Sequence, residues 1–383
     1  MSEINSSNFK KEHGDLAPDL VGVTELTSPY FFVPPSGNTA ERPEDCEPGT
    51  LRFNTDHGSL EVFRGKNIGW EQIQKRDSQY LGGDVVSVAG SDISNYGTGH
   101  RALFNGSTSP YGIQLVTIST FGDAQDFSDL NQNVYWCAGS ASSTRGLING
   151  GYNAVDTIQF VTIASQGTNA QDFGNLTTGR HQLGALSSQT RSIALGGASS
   201  DVLDYVTIAH TGNAVDFGDL SGNCLYPFMA SSTTRGIIAG GGTPSIKNII
   251  EFVTITTTGN VSDFGDLPNP RFEMGSQSTS ATRAVFGGGK VAPDNSAVNT
   301  IEFITMATTG NAIDFGDLTR TTYQVASGVV SSPTRGLALG GYPSPSQTID
   351  AFEIATTGNS VDFGDAVRSS GSGIALSSGH GGL

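Results

Sequence analysis

Thr234-Arg235-Gly236-Ile237-Ile238-Ala239-Gly240-Gly241 is an apolar run that stops at paired glycines. After a variable loop comes Ile249-Ile250-Glu251-Phe252-Val253-Thr254-Ile255, a β-branched run, then Thr258-Gly259-Asn260, a turn signal, then Val261-Ser262-Asp263-Phe264-Gly265-Asp266-Leu267. Runs of this length and composition, punctuated by Gly and Asn, predict short strands joined by tight turns. About 15 residues separate Leu267 from the next Thr-Arg, room for one more strand. The stretch therefore predicts four antiparallel strands and shows no 3.6-residue apolar period.

Outward from it the pattern repeats. Phe127, Phe173, Phe217, Phe264, Phe315 and Phe363 hold one position, at spacings of 46, 44, 47, 51 and 48 residues. Such a period marks stacked supersecondary units that cannot bury their apolar faces alone. Four strands per period predict an all-β protein, a β-propeller of four-stranded blades. Val367 to Leu376 read as the first strand of a further unit, after which the chain stops. That strand is expected to complete the first blade, around His100-Arg101-Ala102-Leu103-Phe104. Six blades are favoured; seven follow if residues 79–98 add a degenerate one. Closure leaves no exposed sheet edge.

The predicted domains are an extended arm over 1–45, a small β-meander attachment module over 46–78 and the propeller over 79–383. The arm is polar, with Pro34-Pro35-Ser36-Gly37-Asn38. The meander is read from Thr50 to Asn54, Ser59 to Arg64 and Trp70 to Ile73, separated by turn signals. It is too small to stand alone and is expected to bury Phe53, Val62, Phe63 and Trp70 against a surface or sister chains.

Formal charge is −16 with 20 Lys and Arg, which do not cluster. That argues against nucleic-acid binding and against an anionic membrane surface. Three cysteines without Cys-x-x-Cys spacing argue against a disulfide framework or zinc site. The first residues lack a signal-peptide pattern, and no run nears 18 apolar residues.

Asp-Phe-Gly binds magnesium in protein kinases, but the companion motifs are absent and one site does not need six copies. The repeat Phe residues are read as filler between blades. Arg101, Arg145, Arg191, Arg235, Arg283 and Arg335, one per unit, are expected to pair with the Asp before each Phe or to cap backbone groups; a ligand-binding ring of arginines is the sharper alternative. Solvated turn carboxylates are the default reading of the acidic turns. No phosphate loop, nucleophile elbow or His-x-x-x-His spacing occurs. The expectation is no enzyme and no cofactor.

Gly150-Gly151, Gly196-Gly197, Gly240-Gly241, Gly287-Gly288 and Gly340-Gly341, followed by the repeat Phe residues, resemble the kelch/galactose-oxidase type of blade, with Phe where that family carries Trp. Gly49-Thr50-Leu51-Arg52-Phe53-Asn54-Thr55-Asp56-His57-Gly58-Ser59-Leu60-Glu61-Val62-Phe63, with Gly65 and Trp70, looks like a short β-module of tailed-phage fibre and appendage proteins. The downstream repeats are similar to propeller repeats in virion proteins of marine phages, notably those of cyanobacteria. The resemblance implies a virion structural protein, such as a tail fibre, baseplate or head appendage or decoration protein. It would be made in the host cytoplasm and carried as a homo-oligomer on the particle, bound to other virion proteins through its N-terminal region. The propeller would face outward toward a host-surface glycan or protein. The alternatives are a cellular kelch-like interaction module and, behind it, a propeller enzyme.

Overall fold

A computed structural model describes residues 34–43, 46–56, 59–66, 69–73, 100–105, 112–132, 135–197, 200–242, 245–273, 276–324, 327–343 and 346–383. The chain divides into two compact units, Met1–Ser78 and Gln79–Leu383. Most of the predicted arm, and residues 79–98 with their possible seventh blade, lie outside the described residues. The described residues are all-β, with no α-helix among them.

In the smaller unit, Leu51–Asn54, Ser59–Phe63 and Trp70–Ile73 form an antiparallel meander. Ser36–Gly37 adds a parallel strand beside Phe53 and Asn54. The residues from Pro34 to Glu41, assigned to the arm on sequence, thus include a strand of this sheet and a 3-10 turn capped by the Asn38 side chain. One face of the sheet is polar yet buried. The Glu61 carboxylate accepts from Arg42 and from Asn54 Nδ2 at 2.8 Å. The Arg42 hydrogen bond holds that carboxyl below its ordinary range, against the opposing effect of burial.

Among the described residues, the larger unit contains six sheets of like design. Five are four-stranded and antiparallel, with strands in consecutive order except that the first takes one strand from the C-terminal region and the fifth is interrupted after its second strand by Lys290–Val291 and Ser296–Ala297, which form a small separate sheet with Arg271–Phe272. The fourth sheet shows the plan: Phe228–Ser231, Arg235–Ala239, Ile249–Thr254 and Ser262–Asp266. Apolar residues fill its two inner strands, and its last strand carries the repeat Phe. Ile250 stands opposite Gly265 and Glu251 opposite Asp263, so Phe264 is the extra residue of a β-bulge. Gly265 has φ +152, and a Cβ there would lie under 3.0 Å from the Gly310 carbonyl of the next sheet. Only glycine fits both demands.

The first sheet combines distant parts of the chain. Ala375–Ser377 pairs antiparallel with Arg101–Asn105, which is followed by Gly112–Thr117 and Gln125–Asp129. A C-terminal strand thus completes the first unit as expected, but over Ala375–Ser377 rather than Val367 to Leu376: residues 367–370 instead extend the last strand of the sixth sheet, where Ser370 pairs with Ser346. The sixth sheet has three strands, Arg335–Leu339, Ser346–Glu353 and Val361–Ser370. Its expected fourth strand is reduced to an isolated bridge between Ser331 and Gly336.

Each sheet is joined to the next in one way. The N–H of a turn glycine donates to the carbonyl of the repeat Phe in the preceding sheet: Gly167 to Phe127, Gly212 to Phe173, Gly259 to Phe217, Gly310 to Phe264 and Gly358 to Phe315, at 2.7–2.8 Å. Gly122 of the first sheet donates to Phe363 of the sixth at 3.0 Å. Beside each, a following residue of the turn, Asn in five joints and Asp123 in the sixth, accepts a backbone N–H from the same strand; Asn260 Oδ1, for example, lies 3.1 Å from Asp219 N. These contacts cover the otherwise open edge of every last strand. All six repeat Phe side chains are buried, 2–3% exposed, each contributing about 1.5–3 kcal/mol.

Candidate functional site

The sequence-selected residues fall into two sets. In the smaller unit, Phe63 is buried and its ring lies 5.5 Å from Trp70, while Phe53, Val62 and Trp70 are half-buried. In the larger unit the repeat arginines reach across the joints. Arg145, Arg191, Arg235, Arg283 and Arg335 donate to the carbonyls of Ile208, Ile255, Met306, Ile354 and Ile118, at 2.7–3.1 Å. Arg101 does the same to Ile163. Four of the guanidinium groups also lie over an aromatic ring of their own sheet, as Arg235 does over Phe252 at 4.5 Å.

The backbone-capping expectation therefore describes the arginines, and the pairing expectation is corrected. Asp172, Asp216, Asp263, Asp314 and Asp362 are exposed on the far side of the strand, because alternation turns them away from the Phe. Asp126, also exposed, meets Arg368 instead. The arginines are spent on carbonyls and rings rather than presented as a ligand-binding ring.

Sequence reading missed a second set of buried charges. Arg180 pairs with Asp204 at 2.5 Å and Arg271 with Glu302 at 2.8 Å. Burial lowers both arginines and raises Glu302, so desolvation outweighs the attraction there. The signal was present: the acids hold one place on the third strand, opposite the bulge.

It also missed a ring of strained residues. Trp136, Gln182, Tyr226, Glu273, Gln324 and Ser372 all have left-handed backbone, with φ between 48° and 60°. Their spacings are those of the repeat Phe, so each sheet contributes one, in the segment leading into its inner strand. Left-handed backbone costs a non-glycine residue roughly 1–2 kcal/mol, and such strain collects at functional sites. The backbones are linked. Gln182 N–H donates to Trp136 C=O, Tyr226 to Gln182, Gln324 to Glu273, Ser372 to Gln324 and Trp136 to Ser372, at 2.7–3.1 Å. Only Gln recurs, at 182 and 324, among the six residues, which is why no motif revealed them.

All of these but Glu273 line a narrow cavity, together with Cys137, Leu183 and Ser327, with room for about one water molecule. Gln182 Nε2 donates to Tyr226 Oη at 2.6 Å, and Ser372 Oγ to Gln324 Oε1 at 3.1 Å. Ser327 Oγ is buried without a hydrogen-bond partner. Burial pushes the Cys137 thiol up to about 12, so it is no thiolate nucleophile. Burial and the Glu273 charge raise Tyr226, which keeps its proton. Aromatic rings flank the cavity. Tyr135 and Tyr152 stack at 4.4 Å; Trp136 lies edge-on to Tyr152 and parallel to His181. Tyr323 and Tyr342 stack on another side, with Lys290 Nζ 4.0 Å from the Tyr323 ring and 2.7 Å from Glu273.

The turn end of the inner strands is occupied by the chain itself. Ser378 N–H donates to Arg101 C=O, Gly381 N–H to Thr279 Oγ1 at 2.9 Å, and His380 is 2% exposed. His380 Nε2 lies 3.2 Å from the Ala141 carbonyl, an acceptor only, while Nδ1 accepts from Gly382 N–H. The network assigns the proton to Nε2. Burial depresses this imidazole to about 4.

Among the described residues no group of three or more His, Cys, Asp and Glu could hold a metal ion. No protein-family model and no curated protein matches the chain.

Proposed function

We propose that the six sheets are the blades of a ring-closed, kelch-like β-propeller. We further propose that the protein is a virion structural component, on tail, baseplate or head, attached through its N-terminal unit and displaying the propeller. The observation that carries the architecture is the sixth joint. Gly122 to Phe363 and Arg335 to Ile118 repeat between last and first sheets what the other joints do between neighbours, and Ala375–Ser377 supplies the first sheet's strand beside Arg101–Asn105. The virion reading rests on the resemblance of residues 49–70 to an appendage module. The fold of that stretch, a small meander with half-buried Phe53, Val62 and Trp70, supports a docking role.

In this reading the protein is a scaffold and not an enzyme. Its arginines and aspartates serve joints and solvent, and its two buried cysteines are held as thiols. Its partners are other virion proteins at the N-terminal unit and a host-surface ligand at the propeller. Labelled antibodies on purified particles test this. Antibody against residues 100–383 should decorate intact particles in negative stain, and antibody against residues 46–73 should bind only after disruption. The reverse pattern inverts the orientation, and absence of the protein from particles removes the virion role.

A further inference from the structure

The aromatic mouth has features that joint-building does not use. Six residues carry strained backbone around it, and a hydroxyl is left unsatisfied within it. Ser327 is 7% exposed, its Oγ has no partner, and it lines a cavity with room for one water-sized group. A buried hydroxyl without a partner is a cost that a bound hydroxyl would remove. The other cavity-lining side chains are uncharged, and Glu273 beside them is held by Lys290. On a chain of net charge −16, such a mouth attracts no anion and offers no free carboxylate to a cation. What it offers is amides, hydroxyls and ring faces. Gln182 and Tyr226 form one polar edge, Gln324 and Ser372 another. Trp136 is half-buried and Tyr152 is 42% exposed, so ring surface remains open to a partner.

We propose that this mouth is a binding site for an uncharged saccharide, which seats a hydroxyl against Ser327 Oγ and lays a C–H face of its ring on the Trp136–Tyr152 cluster. Apolar ring faces with a few placed amides and hydroxyls match a polyhydroxylated ring that alternates C–H and O–H edges. The site stands on this geometry; the proposed function enters only in making a host surface the source of the sugar.

The chain has two tryptophans, so Trp70→Phe leaves Trp136 as the sole indole reporter. The full-length variant is titrated with neutral hexasaccharides of glucose, mannose, galactose and N-acetylglucosamine, with polygalacturonate as the anionic probe. At least one neutral probe should give a saturable fluorescence change below about 10 mM, within the range of weak specific sites. Ser327→Ala in that background should melt no lower, since it deletes an orphan hydroxyl, yet bind roughly tenfold more weakly, the worth of one hydrogen bond. Tyr226→Phe should weaken binding in the same direction. No saturable response to any neutral probe overturns the proposal. So does Ser327→Ala binding as tightly as its parent, or a response to polygalacturonate alone. None of these outcomes bears on particle attachment, which the antibody experiment reads separately.

Discussion

Five of the six joints connect neighbours in sequence, and the sixth connects the ends of the repeat array. In the first kind a turn Asn meets a strand about 40 residues back, as Asn169 meets Asp129; in the sixth Asp123 meets Asp365 across 242 residues. Loop-closure entropy grows with the logarithm of that distance, which adds roughly 1.6 kcal/mol to the long joint. The long joint also differs in its side chains. Ala351 stands where the second to fifth sheets carry Phe160, Tyr205, Phe252 or Phe303 and the first carries Leu115, so Arg335 has no ring in that place of its own sheet. Phe121, from the turn of the first sheet, supplies the ring instead. It lies under Arg335 at 4.7 Å and 5.1 Å from Phe363. An aromatic pair and a cation–π contact of about 0.5–1.5 kcal/mol each are of the size needed to offset the extra entropy. Arg368 adds a backbone pair with Gln114 and a contact to Asp126. The lesson is that equal geometry does not mean equal composition; the seam is locked by residues the ordinary joints lack.

Breaking the seam should have the largest effect. Removal of residues 367–383 strips the inner neighbour from Arg101–Asn105 and exposes an edge. The expected result is aggregation or loss of a single cooperative transition in calorimetry. A monomer that melts as the full chain does would sink the closure.

The repeat Phe should matter equally on both kinds of joint. Phe264→Ala and Phe363→Ala should each cost about 3–5 kcal/mol in denaturant unfolding, as large buried aromatics do. A change within about 0.5 kcal/mol at either position would mean that the ring is not core.

Acid should loosen the segment that follows the closing strand. His380 titrates near 6.5 when unfolded and at about 4 when folded. The unfolded state therefore binds the extra proton between those values, and stability is lost as pH falls from 6.5 to 4, by about 3 kcal/mol. His100, also lowered, acts in the same sense, and the raised Glu302 and Asp350 act in the opposite one. The readout is thus the difference between wild type and His380→Gln. Equal acid sensitivity of the two would place His380 in solvent.

Gly265→Ala should cost about 1–3 kcal/mol through its left-handed backbone and its close approach to Gly310. Gly364→Ala should match it at the seam. The finest test is Phe121→Thr, which gives the seam the turn residue found at Thr258. A loss of about 1 kcal/mol is expected, with Thr258→Phe nearly neutral. Identical responses at the two turns would erase the distinction between the joints.

The all-β character and the four-strand plan were legible because the period is carried by side chains: apolar strands, paired glycines and a constant Phe. The completing strand was legible because Val367 to Leu376 copy the start of other units. The joints were not, since Gly310 to Phe264 is a backbone contact and any residue has a carbonyl. The strained ring was hidden for the opposite reason. Its six positions share a backbone conformation but no common side-chain type; only Gln appears twice. The weak inner strand of the sixth sheet, around Ser331, shows that a unit can keep its place through neighbours after its own pairing has thinned.

The pairing of Ala375–Ser377 with Arg101–Asn105 has a consequence on the ribosome. The amide of Asn105 donates to the carbonyl of Ile374, and the Ile374 amide donates back to Asn105 Oδ1, yet the two residues are made 269 residues apart. At about 5–20 residues per second, the older strand waits roughly 13 to 54 seconds for the newer one. Throughout that interval it presents an open edge to other nascent chains. Translation speed, and any chaperone that masks the waiting strand, should therefore govern the yield of native protein more than the stability of the finished molecule does.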